Sequence, residues 1–90
     1  MQRIAQFING ELFAPAAGAW LDRFEAATGA LYSQLPDGDA RDVDAAVAAA
    51  ERAFPAWSAT PAAERSRILL RIADLIERDL DRLALAESID

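Results

Sequence analysis

Ala53-Phe54-Pro55-Ala56-Trp57-Ser58 is the stretch on which the fold turns. It sets a proline and two large aromatics between an alanine-heavy segment and a leucine-rich one. The pattern predicts a helix on either side, with Phe54 and Trp57 wedged between them as core, because each such ring can bury roughly 150–250 Å². Pro55 is expected to end the first helix, since proline lacks an amide donor and disfavours helical geometry in the residue before it.

Working outward, Asp37-Gly38-Asp39 marks the switch from period two to period 3.6. Asp39 is a natural N-cap for a helix over about Ala40 to Ala53, and Asp42 adds negative charge to its first turn. Val43, Ala46, Val47, Ala50 and Phe54 form one apolar stripe. The rest of that face is alanine, small enough for another backbone to approach closely. Downstream, Thr60-Pro61 reads as an N-cap followed by proline at the first helical position. This second helix is predicted from Pro61 to about Arg78, with Leu69, Ile72, Ala73 and Ile76 on one face and Ile68 and Leu75 widening it. Arg71, Asp74 and Arg78 are spaced for ion pairs worth about 0.2–0.5 kcal/mol each. Asp79 is placed to cap a further turn carrying Leu80, Leu83, Ala84 and Glu87, unless the second helix simply continues. No C-cap glycine precedes Asp90, so the chain reads as cut rather than finished.

Ahead of the helices, Gln6-Phe7-Ile8 and Glu11-Leu12-Phe13 flank Asn9-Gly10, the pair that supplies both positive-φ positions of a type I′ turn. A β-hairpin is expected there. Trp20 to Glu25 reads as a third strand and Ala30 to Leu35 as a fourth, separated by the Thr28-Gly29 turn and closed by Pro36. Short hairpins are marginal alone in water, so these strands need something to lie against. The expected fold class is α/β: β-hairpins over residues 1–36, then two or three α-helices over 37–90.

Composition narrows the function. Of 90 residues, 53% are apolar, but 22 are alanine, which leaves few large side chains for a core. Chains this short are marginal even when well packed. Nine arginines, no lysine and fifteen acids give a net charge of −6, with the cations interleaved among the acids. That argues against a nucleic-acid surface, which needs a clustered positive face. No apolar run approaches the roughly 20 residues of a membrane span, and no signal-peptide pattern opens the chain. With no cysteine, a disulfide-stapled scaffold is excluded and a cytoplasmic location is the default.

The candidate sites are few. Asp37, Asp39, Asp42 and Asp44 suggest a calcium loop, but counting from Asp37 puts Asp42 where glycine belongs and Ala48 where the bidentate glutamate belongs. Helix capping explains the acids better. The absence of histidine, cysteine and lysine removes thiolate and Schiff-base nucleophiles, imidazole bases and nearly every zinc site. Carboxylate pairs of the glycosidase kind would sit on polar helix faces, hydrated and unshifted. Glycines 10, 18, 29 and 38 are isolated, so no phosphate cradle is encoded. Arg65, near a helix N-terminus, is expected in a buried ion pair rather than on an anion. By these residues alone the chain is catalytically inert.

The order of features nevertheless resembles a known family. Phe7-Ile8-Asn9-Gly10-Glu11, Ala27-Thr28-Gly29, Asp42-Val43-Asp44-Ala45-Ala46-Val47, Ala53 to Ser58, Glu64-Arg65, Ala73 to Glu77 and Glu87-Ser88-Ile89-Asp90 are similar, in order and spacing, to the N-terminal region of the NAD(P)-dependent aldehyde dehydrogenases. Phe54 to Ser58 followed by Glu64-Arg65-Ser66-Arg67 looks most like the branch acting on 2-hydroxymuconic or 2-aminomuconic semialdehyde. One departure stands out: Glu25-Ala26 replaces the family's Asn-Pro, which removes a proline-stiffened turn and is expected to loosen the strand pairing beside it.

The resemblance implies the front part of a multi-domain enzyme that oxidises an aldehyde to an acid, with NAD or NADP held by the complete enzyme and not by this segment alone. The catalytic cysteine, the glutamate and the cofactor loop of the family lie downstream, so no catalytic or cofactor-binding residue carries over. Some members hold a structural Na⁺ or K⁺ on main-chain oxygens and an acid, which by position implies Arg23, Phe24 and Asp90. The implied partners are the rest of the enzyme chain, a small-molecule aldehyde and other copies in a homo-oligomer. The front strands would lie on the body of the enzyme, and the helices would cover the outside of its cofactor domain. The competing expectation is a stand-alone, non-catalytic interaction or regulatory module derived from such an enzyme.

Overall fold

The computed structural model describes residues 2–90. Five strands precede three helices: β1 Gln2–Arg3, β2 Gln6–Ile8, β3 Glu11–Phe13, β4 Trp20–Phe24, β5 Leu31–Pro36, α1 Ala40–Ala59, α2 Ala62–Arg78 and α3 Leu80–Ile89. The expected hairpin forms with Phe7 opposite Leu12. Asn9 and Gly10 take φ values of 53° and 78°, as a type I′ turn requires. A methyl group at Gly10 would meet nothing within 4 Å, so only the left-handed backbone resists a side chain there. Gly10→Ala is therefore expected to weaken the hairpin by about 1 kcal/mol. The check is the hairpin population from cross-strand Phe7–Leu12 NMR contacts, which should fall by roughly fivefold in folded-to-open ratio.

The second sheet has the order β1-β5-β4. β4 runs antiparallel to β5 with Leu21 opposite Leu35 and Arg23 opposite Ser33, and a register shift falls between Arg23 and Phe24. Glu25-Ala26 does not loosen this pairing, contrary to expectation. The Glu25 carbonyl accepts from the Gly29 amide at 2.8 Å, and the Glu25 amide donates to the Ala30 carbonyl at 2.8 Å. Gly29, at φ 72°, supplies the turn conformation without a proline. β1 pairs in parallel with β5 through Gln2–Ser33 and Arg3–Gln34, a strand the residue pattern does not disclose. Across this sheet Arg3 Nε donates to Gln34 Oε1 and Gln34 Nε2 donates to Asp22 Oδ1, both at 2.8 Å. The Arg3 guanidinium also lies 4.8 Å over the Trp20 ring.

The helices correct several expectations. α1 passes through Pro55 and ends at Ala59. Proline leaves the Glu51 carbonyl without its helical donor, but Glu51 is exposed and water can serve it. Thr60 is then the C-cap of α1, not the N-cap of α2: its hydroxyl donates to the Ala56 carbonyl at 2.9 Å, and α2 opens at Pro61 with no side-chain cap. Asp79 separates α2 from α3 without capping α3, because its carboxylate is committed to Arg78 and Arg82. The ion pair within α2 is Arg67–Glu64, and Asp74 joins none among the described residues. Arg65 is exposed and likewise joins none, so the buried pair expected for it does not form.

Phe54 and Trp57 are 66% and 48% exposed, so they do not form the expected wedge. α1 and α2 do not pack against each other to any extent. No large apolar side chain of the described residues is buried. The molecule is a slab of 47 × 34 × 15 Å with a radius of gyration of 16.7 Å, whereas a compact chain of this length would have about 12 Å.

Candidate functional site

With the apolar faces open, polar links hold the elements together, and Asp42 is the chief of them. The Asp39-x-x-Asp42 spacing closes a capping box at the start of α1. Asp42 Oδ2 accepts from the Asp39 amide at 2.9 Å. Its Oδ1 accepts from Gln6 Nε2 on β2 and from the Ala16 amide after β3, both at 2.9 Å. One carboxylate, 8% exposed, thus joins the hairpin, the following loop and the helix N-terminus. Hydrogen bonds from Gln6, then from the Asp39 and Ala16 amides, hold the Asp42 carboxyl below its ordinary value of 3.8. Asp39 is lowered as well, first by its hydrogen bonds with the Arg41 side chain, whose Nη2 lies 2.7 Å from Oδ2.

Sequence reasoning placed Asp42 as a first-turn charge, after weighing it in a calcium loop. The capping-box spacing was a visible signal of more, but Gln6 and Ala16 are too distant in the chain to be found that way. Beside this node an open groove of about 430 Å³ runs between the hairpin and α1, lined by Ile8, Phe13, Ala45, Ala48, Arg41 and Arg52. Its one lining carboxylate, Asp42, is engaged by three donors, and no cysteine, histidine or lysine lines it. The four acids of the 37–44 segment do not converge on an ion: Asp39 faces Arg41 and Asp42 faces three donors. Among the described residues no cluster of three potential metal-ligating side chains exists.

Beside the three-stranded sheet the structure brings Arg23 of β4 and Asp90 together. Arg23 Nε lies 2.7 Å from Asp90 Oδ1, an ion contact whose N–H is not aligned as a hydrogen bond. The Arg23 side chain is 17% exposed, that of Asp90 62%, and the guanidinium carbon sits 5.1 Å over the Tyr32 ring. Phe24 follows at the register shift, its ring more than half exposed. As a site for an alkali ion these residues fit poorly, since the Asp90 charge is already matched by a guanidinium. Ser33, opposite Arg23, is fully buried with a hydroxyl that has no partner. Among the described residues no helix is long and apolar enough to cross a membrane.

The strand order, the capped alanine-rich helix and the open apolar faces describe a piece made to be completed, and the comparisons agree. Residues 13–90 match the aldehyde dehydrogenase family, and the chain belongs to that family. Over 87 residues it is 42% identical to 2-aminomuconic semialdehyde dehydrogenase of Bos taurus and 44% identical to that of Danio rerio, covering 97% of this chain and 18% of each relative. The crystal structure of PnpE in complex with nicotinamide adenine dinucleotide superimposes with a TM-score of 0.92 at 46% identity, over 99% of this chain and 18% of that one. An NAD-dependent aldehyde dehydrogenase from Sinorhizobium meliloti gives 0.91 at 37% identity, over 98% of this chain and 18% of that one. The chain therefore spans under a fifth of the length of these relatives and matches their N-terminal part.

Proposed function

We propose that this chain serves as the N-terminal segment of an NAD(P)-dependent aldehyde dehydrogenase that oxidises a muconic-type semialdehyde to the carboxylic acid. The observation that carries the reading is the end-to-end likeness to 2-aminomuconic semialdehyde dehydrogenases, at 42% identity over 97% of the chain. Residues 1–36 and 37–90 belong to two parts of the parent enzyme, the strands lying on its body and the helices on its cofactor-domain side. The chain has no glycine-rich dinucleotide cradle and no cysteine, histidine or lysine, so its share of the work is structural: it covers apolar surface and positions elements. The catalytic groups, the NAD or NADP site, the aldehyde pocket and the contacts of a cytoplasmic homo-oligomer belong to the remainder.

A chimera tests this. Residues 1–90 replace the matching segment of the Bos taurus 2-aminomuconic semialdehyde dehydrogenase, and NADH formation from a semialdehyde is followed at 340 nm. The expected result is a soluble enzyme within roughly tenfold of the parent kcat/KM, a spread of about 1.4 kcal/mol in transition-state free energy. The deletion lacking the segment should be insoluble or inactive. A chimera that behaves like the deletion overturns the reading and favours a stand-alone interaction module.

A further inference from the structure

We propose that the Arg23 guanidinium is the resident cation of the corner between β4 and the end of α3, so that this corner takes up no alkali-metal ion. A family pattern implies Na⁺ or K⁺ at this place, and the side chains here speak against it. Asp90 supplies the carboxylate that meets Arg23, its Oδ1 facing Arg23 Nε at 2.7 Å. A second monovalent cation on that carboxylate would stand within a few ångströms of a permanently charged guanidinium, which arginine cannot relieve by losing a proton.

Three observations make the guanidinium a fixture rather than a passing surface contact. Arg23 projects from the paired part of β4, opposite Ser33, with the register shift just after it. Its side chain is mostly covered, and the guanidinium is stacked 5.1 Å over Tyr32, where partial desolvation strengthens cation–π attraction. Its partner Asp90 follows directly on α3, so the pair ties the last helix to the edge of the sheet. An alkali ion would do the same job by bridging main-chain oxygens and the acid. Here a side chain anchored on the strand does it, whichever monovalent cation is present at a given ionic strength.

The test uses the chimera described above, unfolded thermally in choline, sodium or potassium chloride at equal ionic strength. The proposal expects the same Tm in all three salts. It also expects Arg23→Gln and Asp90→Asn each to lower the Tm, with the double substitution no worse than the more severe single one. A saturable rise in Tm with Na⁺ or K⁺ that Asp90→Asn abolishes would overturn it, as would single effects that add in full. Insolubility of the chimera would count against the proposed function and not against the ion pair. In that event residues 1–90 replace the matching segment of PnpE, which is 46% identical to this chain, and the same salts and substitutions decide by the same outcomes.

Discussion

The isolated 90-residue chain is expected to bind the dye ANS strongly and to lose its helical circular dichroism over a broad temperature range, without a two-state transition. The accessible surface of the folded chain is 7016 Å². A compact monomer of 9.7 kDa would expose only about 5,100 Å². The excess of roughly 1,900 Å² is the area of a complete stable protein–protein interface. Much of it is apolar: Phe7 and Leu12 on the hairpin, Phe54 and Trp57 at the end of α1, and Leu69 and Leu70 on α2 are all about half exposed or more. Hydrophobic burial is the main force behind cooperative folding, and no large apolar side chain of the described residues is more than partly buried. Fusion to the remaining enzyme should abolish ANS binding and restore a sharp transition. A sharp calorimetric transition of the monomeric chain by itself would contradict this account.

Asp42→Asn is expected to release the hairpin from α1. An asparagine keeps one acceptor oxygen for Gln6 and Ala16, but its NH₂ would face the Asp39 amide, donor against donor. Hydrogen exchange at the Ala16 and Asp39 amides should accelerate by on the order of tenfold or more, the scale of a lost charge-assisted hydrogen bond. The acid response follows from the same geometry. Because the Asp42 carboxyl is held below 3.8, its stabilising contribution is complete above that ordinary value and disappears as pH falls through the lower folded value. Protection of the Ala16 amide should thus be flat from pH 7 to about 5 and collapse below about 4. The Asp42→Asn substitution should remove most of that acid dependence. Unchanged exchange at both amides in Asp42→Asn would show that the node does not hold the hairpin.

The local elements were legible because their causes are local. Asn9-Gly10 demands two left-handed residues in succession, Asp39 can reach the first free amides of its own helix, and the 3.6-residue spacing through Arg78 leaves little choice for α2. The family was suggested by the resemblance of particular motifs, Phe7 to Glu11, Ala53 to Ser58 and Glu87 to Asp90 among them, and not by these elements. Pro55 misled because the rule weighs a lost hydrogen bond as though the freed carbonyl were buried, and on an exposed turn water satisfies it. Phe54 and Trp57 misled because amphipathic spacing tells which face seeks burial and not whether a partner lies within the same chain.

By itself the sequence determined the hairpin and its turn, strands β4 and β5, and the helices apart from the end of α1, since all of these depend on residue type or on neighbours within a turn. Only the tertiary structure decided that Gln2-Arg3 pairs beside β5, that Asp42 gathers Gln6 and Ala16, and that Arg23 meets Asp90. Those links join residues 26 to 67 positions apart, or 31 for β1 with β5. Their partners are selected by how folded elements approach in space, which no periodicity along the chain records.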